Sequence, residues 1–242
     1  MKESIDIHCH LMPGVDDGAA DIETSLEMLK IAARNNIGRM ILTPHHKPMH
    51  HNVSVLHNPV YTKALQEAGE KEGIKIKLYP GNEIYYSDET FSQLENGEVC
   101  TLAGSDYCLI EFHPTNPYKA IHNGLYQIQA AGFIPIIAHV ERYSDIVSHP
   151  DYVEELVGMG CFVQINASSV MGKYGFGISH FTKKLLKRNL VHFVASDAHG
   201  TRNRAPQLME CRQYIARKYG EAYADLLFYD NPMSVINNEI IG

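Results

Sequence analysis

Short apolar runs alternate with amphipathic stretches along the whole 242-residue chain, and this alternation limits the possible folds more than any other feature. Strand candidates lie at 4–8, 39–43, 75–80, 107–112, 134–138, 161–165 and 191–196. Helix candidates lie at 22–36, 58–72, 88–96, 117–131, 150–159, 178–189 and 205–219. The first helix shows the logic: Asp21 can cap it, Ile22, Leu26, Leu29 and Ala33 recur on one face, and Gly38 follows its end. The run Phe133-Ile134-Pro135-Ile136-Ile137-Ala138 is apolar without alternation, as expected of a strand buried on both faces. Seven such units predict one α/β domain over residues 1–242, a (β/α)7 barrel one unit short of the usual eight. An open doubly wound sheet is the competing arrangement, weakened because no Gly-rich phosphate loop follows the first strand.

Working residues of such barrels sit at the C-terminal ends of the strands. The first strand ends in His8-Cys9-His10. Residues i and i+2 of a strand share a face, so the two imidazoles project together and Cys9 turns away as a packed core side chain. The loop Gly14-Val15-Asp16-Asp17-Gly18 follows. Later ends carry Thr43-Pro44-His45-His46, Gly81-Asn82-Glu83, Ile110-Glu111-Phe112-His113, Ala138-His139-Val140-Glu141-Arg142, Asn166 and Ser196-Asp197-Ala198-His199. Buried charges are costly unless paired or bound to metal, so this ring points to divalent ions. The candidate ligands are His8, His10, Asp17, His45, Glu83, Glu111, His139, Asp197 and His199. Mixed imidazole and carboxylate donors suit Zn, Mn or Fe better than Ca or Mg. Four of the nine are carboxylates, so three divalent ions would leave a charge of about +2. Such a centre attracts a phosphate dianion and lowers the pKa of a bridging water toward about 7, giving hydroxide as nucleophile. Arg142, Arg202 and Arg204 follow ligand positions, and a guanidinium fork matches phosphate oxygens. His199 or His46 is the candidate acid. Tyr85, Tyr86, Phe112, Tyr118 and Tyr143 either wall a cleft for an aromatic substrate or pack the top of the barrel.

Other features exclude alternatives. The net charge of −7 disfavours a nucleic-acid surface. Lys183-Lys184 and Lys187-Arg188 read as one solvated helix face. Five cysteines without a CxxC pair predict reduced thiols and a cytoplasmic location. No signal peptide is visible, and no apolar run approaches the roughly 18 residues of a membrane span. Cys211 and Arg217 fit a C-x5-R thiol-phosphatase pattern, but they lie within a predicted helix without a glycine loop to cradle phosphate.

The order His8-x-His10, Thr43-Pro44-His45-His46, Gly81-x-Glu83, Glu111, Ala138-His139 and Ser196-Asp197-x-His199 resembles the polymerase-and-histidinol-phosphatase (PHP) superfamily. Asp16-Asp17-Gly18, Glu83-Ile84-Tyr85-Tyr86, Leu109-Ile110-Glu111-Phe112 and His139-x-Glu141-Arg142-Tyr143 are similar, more closely, to the bacterial PHP-type tyrosine phosphatases of capsule and exopolysaccharide clusters. That resemblance implies a distorted TIM-like (β/α)7 barrel holding three metals, usually manganese or iron. His8, His10, Glu83 and Asp197 would bind the first. Glu83, Glu111 and His139 would bind the second, with Glu83 bridging, and Asp17, His45 and His199 the third. Arg142 and Arg204 match the family's phosphate-gripping arginines, whereas Arg202 has no counterpart. The implied substrate is the phosphorylated tyrosine-rich tail of a membrane-bound bacterial tyrosine kinase controlling polysaccharide export. The segment 44–60 diverges and borders the cleft. Rival expectations are a histidinol-phosphate-type small-molecule phosphatase and a non-catalytic kinase-binding regulator. A metal-dependent amidohydrolase or nuclease also begins with HxH, but no strand-end lysine is present to bridge its metals.

Overall fold

The computed structural model describes residues 2–242. Its strands are β1 (Ser4–Cys9), β2 (Ile37–Leu42), β3 (His45–His46), β4 (Lys77–Pro80), β5 (Glu83–Tyr85), β6 (Tyr107–Glu111), β7 (Ile134–Ile137), β8 (Phe162–Asn166) and β9 (Phe193–Ala195). The helices are α1 (Ile22–Arg34), α2 (Asn58–Lys71), α3 (Thr90–Glu95), α4 (Tyr118–Ala130), α5 (Ser144–Ser148), α6 (Asp151–Gly158), α7 (Ala167–Val170), α8 (Phe176–Lys187), α9 (Met209–Tyr219), α10 (Glu221–Asp225) and α11 (Asn231–Asn237). One sheet runs β1-β2-β4 and the other β3-β5-β6-β7-β8-β9, every pair parallel. The result is a single α/β unit on a curled parallel sheet. After β9 the chain returns to the end of β1: Cys9 and Ala198 bridge in parallel, and the Asp197 amide donates to the His8 carbonyl at 2.9 Å.

Two expected strands, 39–43 and 75–80, are each followed by a further short strand. Thr43-Pro44 separates β2 from β3, and Gly81-Asn82 separates β4 from β5. Proline has no N–H to give a ladder. Its carbonyl instead accepts from the Asn82 side chain at 2.9 Å and the Glu83 amide at 3.3 Å. The two breaks are thereby stitched together, which sets His45 opposite Glu83.

Helices pack one large cluster against the outside of the sheet. A second cluster holds alternate strand residues, among them Ile5, Ile7, Tyr107, Leu109, Ile136, Phe193 and Ala195, with Val235 of α11. Each fully buried side chain of this kind contributes about 1.5–3 kcal/mol. The register of β1 shifts between Asp6 and Cys9. Ile5 and Ile7 belong to the second cluster, while Cys9, of the same parity, belongs to the outer one. Such an irregularity re-aims side chains, and here it decides which way His8 and His10 face.

Several expected boundaries move. Asp21 does cap α1, accepting from the Thr24 amide at 2.8 Å. The buried face is Ser25, Met28, Leu29 and Ala32, however, and Ile22 and Ala33 are exposed. The Ser25 hydroxyl donates to the Asp21 carbonyl, so this polar residue is satisfied where it is buried. The helix expected from 205 begins at Met209, because the Arg204 carbonyl is held in a loop by the His199 and Gly200 amides. Helices α5, α7, α10 and α11 were not anticipated; a π-helical turn, Leu226–Asp230, joins the last two. Of the expected loop 44–60, residues 45–46 form β3 and 58–60 begin α2.

Candidate metal centre

All nine candidate ligands converge at the strand ends. The His8 and His10 Nε2 atoms lie 3.3 and 3.2 Å from Glu83 Oε2, and 3.5 and 3.7 Å from Asp197 Oδ1. His45 Nδ1 lies 2.9 Å from Glu83 Oε2 and 3.7 Å from Glu111 Oε2. His139 Nε2 lies 2.8 Å from Glu83 Oε1 and 3.6 Å from Glu111 Oε1. On the open side, His45 and His199 approach Asp17 Oδ1 at 3.3 and 3.5 Å. Four overlapping groups have the spacing to hold an ion: His10, Asp17, His45 and His199; His8, His10 and Asp197; His8, Glu83 and His139; His45, Glu83 and Glu111.

Unsatisfied atoms test whether cations fit there. Glu83 Oε2, Glu111 Oε2, His45 Nδ1 and His139 Nδ1 are buried without a hydrogen bond. Glu83 Oε2 is surrounded by three imidazole nitrogens yet bonds to none of them. Five imidazoles and four carboxylates around such atoms fit divalent cations with borderline-hard preferences. The backbone is also committed: His139 and Asp197 adopt positive φ, 31° and 51°. For non-glycine residues this costs on the order of 1–3 kcal/mol, which surrounding contacts must offset.

A supporting layer escaped the sequence reading. Gln164 Oε1 accepts from His8 Nδ1 at 3.0 Å and from the His139 amide at 2.9 Å. Its amide donates to Asn166 Oδ1, and Asn166 donates to Asp197 Oδ2, both at 2.8 Å. Asp16 contacts His10 Nδ1 at 2.7 Å and accepts the Gly18 and His45 amides. These partners occupy Nδ1 of His8 and His10, leaving both Nε2 lone pairs for the centre. A glutamine inside the apolar run Phe162-Val163-Gln164-Ile165 was the available signal. Gly18 makes the Asp16 loop possible, since a Cβ there would fall 2.2 Å from the His10 carbonyl oxygen. Gly18→Ala is therefore expected to lower metal affinity by roughly 10–100-fold, as removal of an outer support does. Titration of the chelator-stripped variant with metal checks this.

Charge coupling holds protons where ions would go. Burial pulls His8 down, but Glu83 and Asp197 outweigh it and lift its pKa to about 9. His45 reaches about 10 because Asp17 and Glu83 overcome the same penalty. Burial, helped by the Arg142 charge, depresses His139 to about 4. Hydrogen bonds from His199 and His45 hold Asp17 well below the carboxylate range.

Both expected arginines meet Asp197. Arg142 donates to its Oδ2 and Arg204 to its Oδ1, the latter at 2.8 Å. Arg202 is instead exposed in a cleft with Lys173, Tyr174 and Asn203. His46 joins none of the four groups. Phe112 and Tyr143 are buried, Tyr86 packs on Phe112, and Tyr118 stacks on Tyr152 at 3.8 Å. Packing therefore claims these four, and Tyr85, under Lys47 at 5.9 Å, is the one left at the rim. The largest cavity described, about 690 Å³, lies between α2 and β4, away from this chemistry.

Cys211 is buried within α9, and burial pushes its thiol far above its usual pKa. Cys9 is buried too, its thiol donating to the Ile41 carbonyl. Cys211→Ser is expected to keep hydrolytic activity within about twofold and to cost about 1–3 kcal/mol of stability for the buried hydroxyl. Parallel kinetic and denaturation measurements check both.

Residues 4–237 match the family model described as capsular polysaccharide synthesis, CpsB/CapC. The tyrosine-protein phosphatase CpsB of Streptococcus pneumoniae is 36% identical over 247 residues, covering 98% of this chain and 100% of that protein. The tyrosine-protein phosphatase YwqE of Bacillus subtilis is 34% identical, covering 98% and 93%. Among solved structures, one from work on YwqE of Bacillus subtilis and CpsB of Streptococcus pneumoniae, described as unique metal-dependent tyrosine phosphatases, superposes with a TM-score of 0.93. It is 33% identical and covers 98% of this chain and 96% of that one.

Proposed function

Because this chain belongs to the CpsB/CapC capsular polysaccharide synthesis family and is a metal-dependent tyrosine-protein phosphatase, we propose that it removes phosphate from the tyrosine-rich tail of a membrane-bound bacterial tyrosine kinase. The observation that carries the reading is the gathering of five imidazoles and four carboxylates into four overlapping groups at the strand ends, two of which share Glu83. We assign His8, His10, Glu83 and Asp197 to one ion, Glu83, Glu111 and His139 to a second, and Asp17, His45 and His199 to a third. Manganese is the favoured ion. When bound, such ions supply Lewis acidity toward phosphoryl oxygens and a water of lowered pKa.

The chain's own groups do the rest. Arg142 and Arg204 bring two positive charges to the edge of the cluster, where they bind the phosphoryl oxygens and offset charge gathering in the transition state. Gln164 and Asp16 fix the tautomers of His8 and His10. Phenolate, with a pKa of about 10, is a competent leaving group and can depart without a proton from His199, whose imidazole the third ion would take. Arg142 and Arg204 are thus the catalytic groups proposed, with His199 contributing as a ligand of the third ion. For the fold, the strand pairings with the Cys9–Ala198 bridge support a distorted (β/α)7 barrel as one domain over 1–242. No helix among the described residues is long and apolar enough to cross a membrane. We place the protein in the cytoplasm, beside a kinase's inner tail.

Comparing turnover of phosphotyrosine peptides with histidinol phosphate tests the substrate class. Peptide turnover should exceed the small-molecule rate by at least about tenfold in kcat/KM, and the reverse order would favour the histidinol-phosphate alternative. A second outcome concerns protons. At pH 7.5 the stripped protein holds protons on His8 and His45, which an entering ion must displace. Adding Mn²⁺ in weak buffer should release about two protons per chain, and fewer above pH 10.

A further inference from the structure

We propose that the cleft beside Arg204 is a subsite for an anionic group flanking the phosphotyrosine, which makes the protein select acidic phosphopeptides. The proposal rests on the phosphatase reading above. The cleft encloses about 510 Å³ and is lined by Lys173, Tyr174, Arg202, Asn203 and Arg204. The whole chain carries −7, yet this lining holds three cationic side chains and no carboxylate. Lys173, Tyr174 and Arg202 are all exposed.

Most arginines here are already spent. Arg34, Arg39, Arg142, Arg188, Arg204 and Arg212 each sit on a carboxylate. Arg202 and Lys173 make no such pair among the described residues; Glu210 lines an adjoining cavity with Lys173 without reaching ion-pair distance. Arg204 links the cleft to the centre: its Nη2 contacts Asp197, and its Nε is buried without a partner. A second cavity at the centre, of about 480 Å³, mixes charges: Asp16 and Asp17 line it with His45, Lys47, His50 and His51. Asp16 and Asp17 are already engaged by His10, His45 and His199, whereas Lys173 and Arg202 have no carboxylate partner among the described residues, so a peptide's anion belongs beside them. Either a carboxylate or a second phosphate has the required charge.

Exposed charge pairs are individually weak and screened by salt. Two together are expected to favour an acidic peptide over its alanine counterpart by roughly five- to tenfold in kcat/KM, mostly through KM. The test compares wild type with Lys173→Ala/Arg202→Ala and with Arg202→Glu. Substrates are phosphotyrosine peptides flanked by glutamate, alanine, lysine or a second phosphotyrosine, with 4-nitrophenyl phosphate as a small substrate. Wild type should prefer the anionic peptides, less so in high salt. The double variant should lose that preference while hydrolysing 4-nitrophenyl phosphate normally, and Arg202→Glu should favour the lysine peptide. The glutamate and bis-phosphorylated arms show which anion the cleft takes. Equal peptide preference in wild type and both variants, with 4-nitrophenyl phosphate turned over, would overturn the subsite alone. Failure of metal-loaded wild type on every substrate would overturn the phosphatase reading beneath it.

Discussion

Glu83→Gln is expected to lower kcat/KM for a phosphotyrosine peptide by at least about 10³-fold while leaving the fold intact. The reason is its central position. Its carboxylate faces His8, His10, His45 and His139, and it belongs to two of the four groups with metal-holding geometry. Removing one preorganised electrostatic stabiliser of a transition state costs about 10²–10³ in rate, and a carboxylate shared by two such groups supports more than one. Glutamine keeps the volume, so β5 and its pairing with β3 and β6 should persist. Metal content should fall in step with activity. A thermodynamic signature accompanies this. The His8 pKa of about 9 lies above its ordinary 6.5, so its pairing stabilises the metal-free fold fully below pH 6.5 and is lost as pH rises through 9. Glu83→Gln removes much of that pairing. The stability advantage of metal-free wild type over metal-free variant should therefore shrink between pH 6.5 and 9, as followed by urea titration. An advantage growing across that window would contradict the coupling.

Arg212→Ala is expected to do the opposite: to cost stability and spare chemistry. Arg212 is fully buried in α9 and donates to Glu221 at 3.0 Å and to Asp225, tying α9 to α10. Truncation leaves a large void and strips two carboxylates of their partner. Both acids retain some exposure, so hydration relieves part of the penalty. The net cost is about 2–4 kcal/mol, or roughly 4–16 °C in Tm for a chain of this size. Metal content and kcat at 20 °C should stay within about twofold of wild type. Arg212→Met, which fills most of the volume without a charge, should recover part of the loss. Inactivation of a stably folded Arg212→Ala would instead revive the cysteine-and-arginine motif that begins beside it.

The legible part of the sequence was whatever depends on short-range pattern. Apolar runs locate strands, and the residue just after each run lands on the same end of a parallel sheet. His8, Glu83, His139 and Asp197 could therefore be brought together from their positions alone. Division of the nine residues into three ion sites came from family resemblance, because spacing along the chain does not say which imidazole faces which carboxylate. Tertiary events stayed hidden. The shift in β1 that re-aims His8 depends on pairing with β2, and the breaks at Pro44 and Gly81 are defined by hydrogen bonds across strands. Gln164 looked like an ordinary polar interruption, although it fixes a ring from a strand 156 residues away in sequence. Arg142 and Arg204 were selected for phosphate, but their shared contact with Asp197 appears only when β7 and β9 neighbour β8. The rotation of the buried face of α1 turns on a local hydroxyl contact, and helical periodicity alone could not distinguish neighbouring faces.

Metal content and phosphatase activity, measured together on one preparation, test the central claim most directly. Purified protein loaded with Mn²⁺ should hold about three ions per chain. Chelator dialysis should remove the ions and the hydrolysis of a phosphotyrosine peptide in parallel, and Mn²⁺ should restore both, in wild type and in Cys211→Ser alike. Full activity in protein stripped of metal, with loss of that activity in Cys211→Ser, would contradict the account.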